Sequence, residues 1–249
     1  MAREPMREDI TPMFRRIIAG VRPVLQGLTR QDWSGGEYLP REGGFVIAAN
    51  HVSYVDPFAL GHFLVDHGRA PRFLAKDSLF DMPGLGAVVR GTGQIPVKRN
   101  TARAGDAFAA AVQAVRDGAC VTVMPEATLS RDPGLWPMTA KSGAARIALE
   151  TGCPLIPAAL WGPQDILWPY DGMRIKVFPR KTMHVHAGPP LDLSDLAPPY
   201  ERAALRAATD RLMAAITTQL EKIRHENVPV SRVDFHGYLD KSTDEEGRP

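Results

Sequence analysis

The chain has 249 residues, 44% of them hydrophobic and 23% charged, the balance of an ordinary globular core and enough for one substantial α/β domain. A net charge of +2, with no basic run interleaved with aromatics, excludes a nucleic-acid-binding role. No window of about 20 apolar residues offers a membrane span, and the charged N-terminus lacks the apolar stretch of a signal peptide.

Over residues 10–28 the apolar side chains Ile10, Phe14, Ile17, Ile18, Val21 and Leu25 recur at helical spacing, with Arg15, Arg16 and Arg22 on the other faces. Pro23 is expected to kink or divide this helix. Six arginines against Glu4, Glu8 and Asp9 leave residues 1–30 at +3. A basic amphipathic helix of this kind suits either a bilayer surface or the domain's own core. Residues 33–36, Trp-Ser-Gly-Gly, read as a loop.

Residues 45–49, Phe-Val-Ile-Ala-Ala, have the length and composition of a buried strand. His51 follows, then Asp56 and Pro57 open a helix over 57–67, with Asp as N-cap and Pro in the first turn. Residues five apart on one helix diverge by about 140°. His51 and Asp56 therefore meet only if the chain between them turns, which places His51 on the loop after a strand. A carboxylate bonded to one imidazole nitrogen fixes the tautomer and frees the other nitrogen to take a proton from a hydroxyl. Taken alone, the pair is more often a helix cap beside a histidine bonded to backbone.

Further strands are expected at 71–76, 91–99, 119–124 and 154–160. Helical stretches lie between them at 77–89, 101–117 and 141–150, and glycines close the last two after residues 117 and 151. Strands alternating with helices imply a single α/β layered domain with a largely parallel sheet flanked by helices. Residues 174–178 and 182–187 read as two late strands, a hairpin around Pro179. His184 and His186 face one side of the second, but the sequence shows no partner cluster, so no metal site is expected. A linker at 192–199 leads to a helix over 200–225. The expected organisation is an N-terminal amphipathic helical segment (1–36), the α/β domain (37–226) and a polar tail (227–249). The two cysteines, Cys120 and Cys153, lie in apolar runs and are expected as buried thiols in a reducing compartment.

Asn50-His51-Val52-Ser53-Tyr54-Val55-Asp56 resembles the N-H-x-x-x-x-D block of glycerolipid acyltransferases, above all those acting on lysophosphatidic acid. Three further blocks carry the resemblance. Gly93-Gln94-Ile95-Pro96-Val97-Lys98-Arg99 is similar to G-x-I-x-V-x-R, and Lys76 in Ala75-Lys76-Asp77-Ser78-Leu79-Phe80 stands where a second phosphate contact does. Met124-Pro125-Glu126-Ala127-Thr128-Leu129-Ser130 is similar to F-P-E-G-T-R-S, with Ala127 in place of glycine and Leu129 in place of arginine. Cys153 to Leu160 resembles the family's V-P-x-x-P-V strand. Ala127 must either avoid positive φ or carry strain, and Arg131 offers the charge that Leu129 lacks.

The resemblance implies direct transfer of a fatty acyl group from acyl-CoA or acyl carrier protein to a lysophospholipid hydroxyl. It makes His51 the base and Asp56 its partner. It assigns Lys76, Arg99 and Arg131 to the acceptor phosphate, and Glu126, Ala127 and Thr128 to the head group. No resident cofactor is implied. Membrane lipids are the implied partners, with the protein peripheral on the inner face of the cell membrane. The Ala127 and Leu129 departures leave open another lyso- or glycolipid acceptor, or a silent lipid-binding protein that keeps the fold. Sequence offers no G-x-S-x-G elbow, no phosphate-binding loop and no dinucleotide fingerprint.

Overall fold

A computed structural model describes residues 4–97, 104–170, 172, 174–196 and 198–228. Its centre is a seven-stranded sheet. The strands are β1 (Thr29–Ser34), β2 (Phe45–Ala49), β3 (Pro71–Lys76), β4 (Ile95–Val97), β5 (Cys120–Val123), β6 (Leu155–Trp161) and β7 (Lys181–Ala187). Their order across the sheet is β1-β7-β6-β2-β5-β3-β4. Every pairing is parallel except β6 with β7. The helices are α1 (Pro12–Leu28), α2 (Asp56–Asp66), α3 (Leu85–Gly91), α4 (Ala104–Arg116), α5 (Gly143–Thr151), the single turn α6 (Pro163–Ile166) and α7 (Arg202–Arg224).

Successive side chains of a strand point to opposite faces, and here both faces are apolar. Val46, Ala48, Val121, Val123 and Leu155 turn to one side, against Ala111 and Val112 of α4, Ile147 of α5 and Leu212 and Ile216 of α7. Phe45, Ile47, Ala49, Ile156, Ala158 and Leu160 turn to the other, against Leu60, Phe63 and Leu64 of α2. Each of these three α2 side chains is fully buried, worth about 1.5–3 kcal/mol apiece over exposure. The central strands are covered twice, and so they read as continuous apolar runs rather than alternating ones.

α1 runs unbroken across Pro23, which lies on its exposed side, where the carbonyl that loses a partner can meet water. Phe14 and Ile18 pack with Ile10 on Val65 and Ala70. The lower half of the apolar stripe therefore belongs to the domain core, while Val24 near the far end is 56% exposed.

Four expectations need correction. Residues 33–34, read as loop, finish the edge strand β1, which pairs with β7 along its length. The turn starts only at Gly35, whose φ of +76° and close approach to the Ala187 carbonyl leave no room for a side chain. The helix expected over 77–89 is a 3-10 turn at Asp77–Leu79 followed by α3, because Pro83 and Gly84 interrupt it. The strand expected at 174–178 is reduced to a single antiparallel bridge, Leu167 with Ile175. The strand expected over 91–99 starts only at Ile95, because α3 runs to Gly91; its expected end at Lys98 and Arg99 lies outside the described residues.

Candidate active site

β2 ends at Ala49, in mid-sheet, and the chain leaves the sheet through Asn50. The buried Asn50 amide continues the pairing that the backbone gives up. Its Nδ2 donates to the Leu160 carbonyl at 3.1 Å, and its Oδ1 accepts from the Leu160 N–H at 2.7 Å. Sequence reasoning gave Asn50 no role; the available signal was a polar residue closing a wholly apolar strand.

The next residue, His51, has Nδ1 at 2.8 Å from Asp56 Oδ2. The same oxygen accepts the N–H of Val52 at 2.6 Å and of Ser53 at 2.9 Å. Asp56 thus does not cap its helix as expected: its carboxylate turns back into the 51–53 turn, whose donors converge on it, and α2 starts without a side-chain cap. The Asp56 side chain is fully buried, and that of His51 keeps 18% of its exposure. Asp56 Oδ1 is buried and has no hydrogen-bond partner among the described residues. With Nδ1–H given to the carboxylate, Nε2 keeps its lone pair and can accept a proton.

A second turn, after β5, holds the first from the side. Glu126 is buried at 2% exposure; its Oε1 accepts the His51 N–H at 3.0 Å, and its Oε2 accepts the Met138 N–H at 2.9 Å. Burial pushes this carboxyl from the ordinary 4.5 up to about 8, with the charges of Asp56 and Asp132 adding to the shift. Both oxygens are withdrawn from solvent and occupied by backbone. Through these bonds Glu126 holds the His51 backbone. The Ser130 N–H donates to the His51 carbonyl at 2.7 Å, so both backbone groups of His51 are fixed by this turn.

Ala127 stands at φ +59°, the strained alternative, at a cost of about 1–2 kcal/mol relative to a residue without Cβ. Thr128 beside it is half-buried, while Leu129 is buried, its side chain in the interior where the family pattern has a guanidinium. Arg131 is exposed two residues on, and Lys76 is exposed at the carboxyl end of β3. The carboxyl ends of β2, β3 and β5 thus gather His51, Asp56, Glu126, Ala127, Thr128, Arg131 and Lys76 on one edge of the sheet. Arg99 lies outside the described residues. Among those described, no group of three or more metal-ligating side chains falls at this edge.

The loop after α6 lies against the same site. Ser53 Oγ donates to the Leu167 carbonyl at 2.7 Å, and the Tyr170 hydroxyl donates to the Leu129 and Ser130 carbonyls at 3.1 and 2.9 Å. Around this edge large apolar side chains stand in solvent: Tyr54 at 60% and Phe58 at 52%, with Trp168, Tyr170, Ile175 and Phe178 on the segment leading to β7. No helix among the described residues is long and apolar enough to cross a membrane.

The sequence profile of the family described as Acyltransferase matches residues 30–161, more than half of the chain. A 1-acyl-sn-glycerol-3-phosphate acyltransferase from Bacillus subtilis is 27% identical over 190 residues, 75% of this chain and 88% of that protein. The chloroplastic 1-acyl-sn-glycerol-3-phosphate acyltransferase BAT2 of Brassica napus is 33% identical over 140 residues; the match spans 55% of this chain but only 39% of the plant protein. Among solved structures, the 1-acyl-sn-glycerophosphate acyltransferase PlsC of Thermotoga maritima superposes with a TM-score of 0.67 at 20% identity, over 87% of this chain and 81% of that one. At that identity the likeness speaks for the fold: one α/β domain with a mostly parallel sheet between helices.

Proposed function

The chain belongs to the acyltransferase family, and on that premise we propose that it moves a fatty acyl group from an acyl-CoA or acyl carrier protein thioester to the free hydroxyl of lysophosphatidic acid, giving phosphatidic acid. The observation that carries this reading is the 2.8 Å contact between His51 Nδ1 and the buried Asp56 carboxylate, in a turn held by Glu126 and Ser130. His51 Nε2 takes the proton of the acceptor hydroxyl as its oxygen attacks the thioester carbonyl. The new C–O bond forms, the tetrahedral intermediate collapses, and the C–S bond breaks. The thiolate recovers the proton from the imidazolium that Asp56 has stabilised. Lys76 and Arg99, with Arg131 in place of the missing arginine, meet the acceptor phosphate through charge-assisted bonds. Thr128 borders the head group, and Glu126 keeps His51 in place.

The exposed aromatics around this edge support a peripheral seat on the cell membrane, at the cytoplasmic face, where lysolipid acceptors reside. Amphipathic rings favour the headgroup layer, and the site edge would face it. A second reading keeps the chemistry and changes the acceptor to another lyso- or glycolipid. It is favoured by the burial of Leu129, which removes a cation from the head-group side.

The test is thiol release from long-chain acyl-CoA or acyl carrier protein by purified protein with vesicles. Lysophosphatidic acid, then other lysolipids, serve as acceptors. Release should depend on lysophosphatidic acid and fall by roughly 10²–10⁴ in His51→Ala. Release with another acceptor alone would move the substrate. No release with any pair of substrates, from folded protein that still binds vesicles, would leave a silent lipid-binding protein.

A further inference from the structure

β1 changes the meaning of the two histidines on β7. In the β1–β7 register Asp32 lies opposite His184, and alternation puts His186 on the same face. That face lies opposite the one that Met183, Val185 and Ala187 send into the α2 side of the core. Asp32 Oδ2 is 2.6 Å from His184 Nδ1 and 3.6 Å from His186 Nε2, and the ligand atoms of the three residues all lie within 4.8 Å of one another. The second distance is too long for a hydrogen bond, so His186 Nε2, a buried atom, has Asp32 as an ion-pair neighbour but no hydrogen-bond partner among the described residues. A buried polar atom left in this way carries a free-energy cost that a bound ion would remove.

We propose that Asp32, His184 and His186 form a binding site for a divalent transition ion of the zinc class, which ties the edge strand β1 to β7. Two imidazoles and one carboxylate are the donor set such ions accept, whereas calcium and magnesium call for shells of oxygen alone. Around a tetrahedral zinc with bonds of about 2.0–2.1 Å, donors stand roughly 3.3 Å apart. The 2.6 and 3.6 Å separations bracket that value and the third lies within 4.8 Å, so side-chain rotations bring the three donors around one ion. The strands that carry the ligands are paired over six residues, so the donors are held on a rigid frame. Side-chain exposures of 50% for Asp32, 28% for His184 and 19% for His186 give the ion a path in and leave its fourth position to water. The Lys222 ammonium opposes a cation near His186, and the Asp32 carboxylate offsets it.

The test uses the metal-stripped full-length chain. Cobalt(II) is followed by its visible absorption, zinc by calorimetry, and thermal unfolding is recorded with and without zinc. The expected result is one ion per chain, cobalt bands of four-coordinate intensity, and an unfolding midpoint raised by zinc. His186→Gln and Asp32→Asn should each weaken zinc by at least the roughly 10–100-fold that follows loss of a mere supporting partner of a ligand. Both residues lie at a partly exposed sheet edge, and circular dichroism checks that the variants fold. If one does not, the wild-type stoichiometry and cobalt spectrum decide. Absence of one-to-one binding, or binding and midpoint shift unchanged in the folded variants, would overturn the proposal.

Discussion

Replacing Asn50 by Ala would strip the Leu160 N–H and carbonyl of their partners inside the sheet. An unsatisfied buried group costs about 1–3 kcal/mol, so Asn50→Ala is expected to lower the thermal midpoint on the order of 10 °C, read by calorimetry. Glu126 gives a signature in pH. Its carboxyl is raised from 4.5 to about 8 in the folded chain, so between those values the folded state holds a proton that the unfolded state has lost. Stability from this group is complete below about pH 4.5 and drains away as pH rises through 8. The stability advantage of the wild type over Glu126→Gln, from denaturant unfolding at a series of pH values, should therefore shrink as pH rises across that window. At this scale the meeting of His51 and Asp56 was legible from the family-like block at residues 50–56, while the five-residue spacing said only that contact would need a turn between them. The direction of the Asp56 carboxylate was not. An Asp before Pro can serve the helix behind it or the loop ahead of it, and the converging N–H groups that decide are a property of the folded turn.

The apolar runs of β2, β5 and β6 are elements that announce themselves, since a strand covered on both faces has no polar side to confuse its pattern. β1 is the opposite case. Thr-Arg-Gln-Asp-Trp-Ser carries one large apolar residue, pairs on one side only, and finds its partner some 150 residues away, at Lys181. Nothing local marks it as a strand, and with it went the carboxylate that faces His184. α1 is a helix whose surroundings the sequence left open. Phe14 is 5% exposed, against Ile18, Val65 and Ala70. Truncation of such a side chain costs about 3–5 kcal/mol. Phe14→Ala should therefore destabilise the protein in lipid-free solution and raise hydrogen exchange along α1. A helix held only by a bilayer would show neither effect.

Across the whole molecule, the site edge combines buried machinery with an exposed apolar rim, and the two are separable by mutation. Tyr54→Ser and Phe178→Ser alter side chains that are 60% and 73% exposed, where substitutions stay within about 0.5 kcal/mol of neutral. The double variant should lose cosedimentation with anionic vesicles while its unfolding midpoint holds. Equal vesicle binding by wild type and variant would place the lipid contact elsewhere.

The antiparallel step between β6 and β7 has a consequence for how the chain enters its working surface. Because β7 runs against β6 and β1 runs with β7, both strands begin at the edge where β2 ends. α1 hands over to β1 at Thr29, and the Arg180 guanidinium ties the Gln26 and Thr29 carbonyls to the start of β7. The exposed end of α1, with Val24, thus arrives at the same end of the sheet as the His51 turn, with β7 and β6 between them. Had β7 kept the direction of its neighbour, that end would emerge on the far side of the sheet, a seven-residue strand and roughly 20 Å away. One reversed strand lets the end of the first helix and His51 share a single shoreline of the sheet.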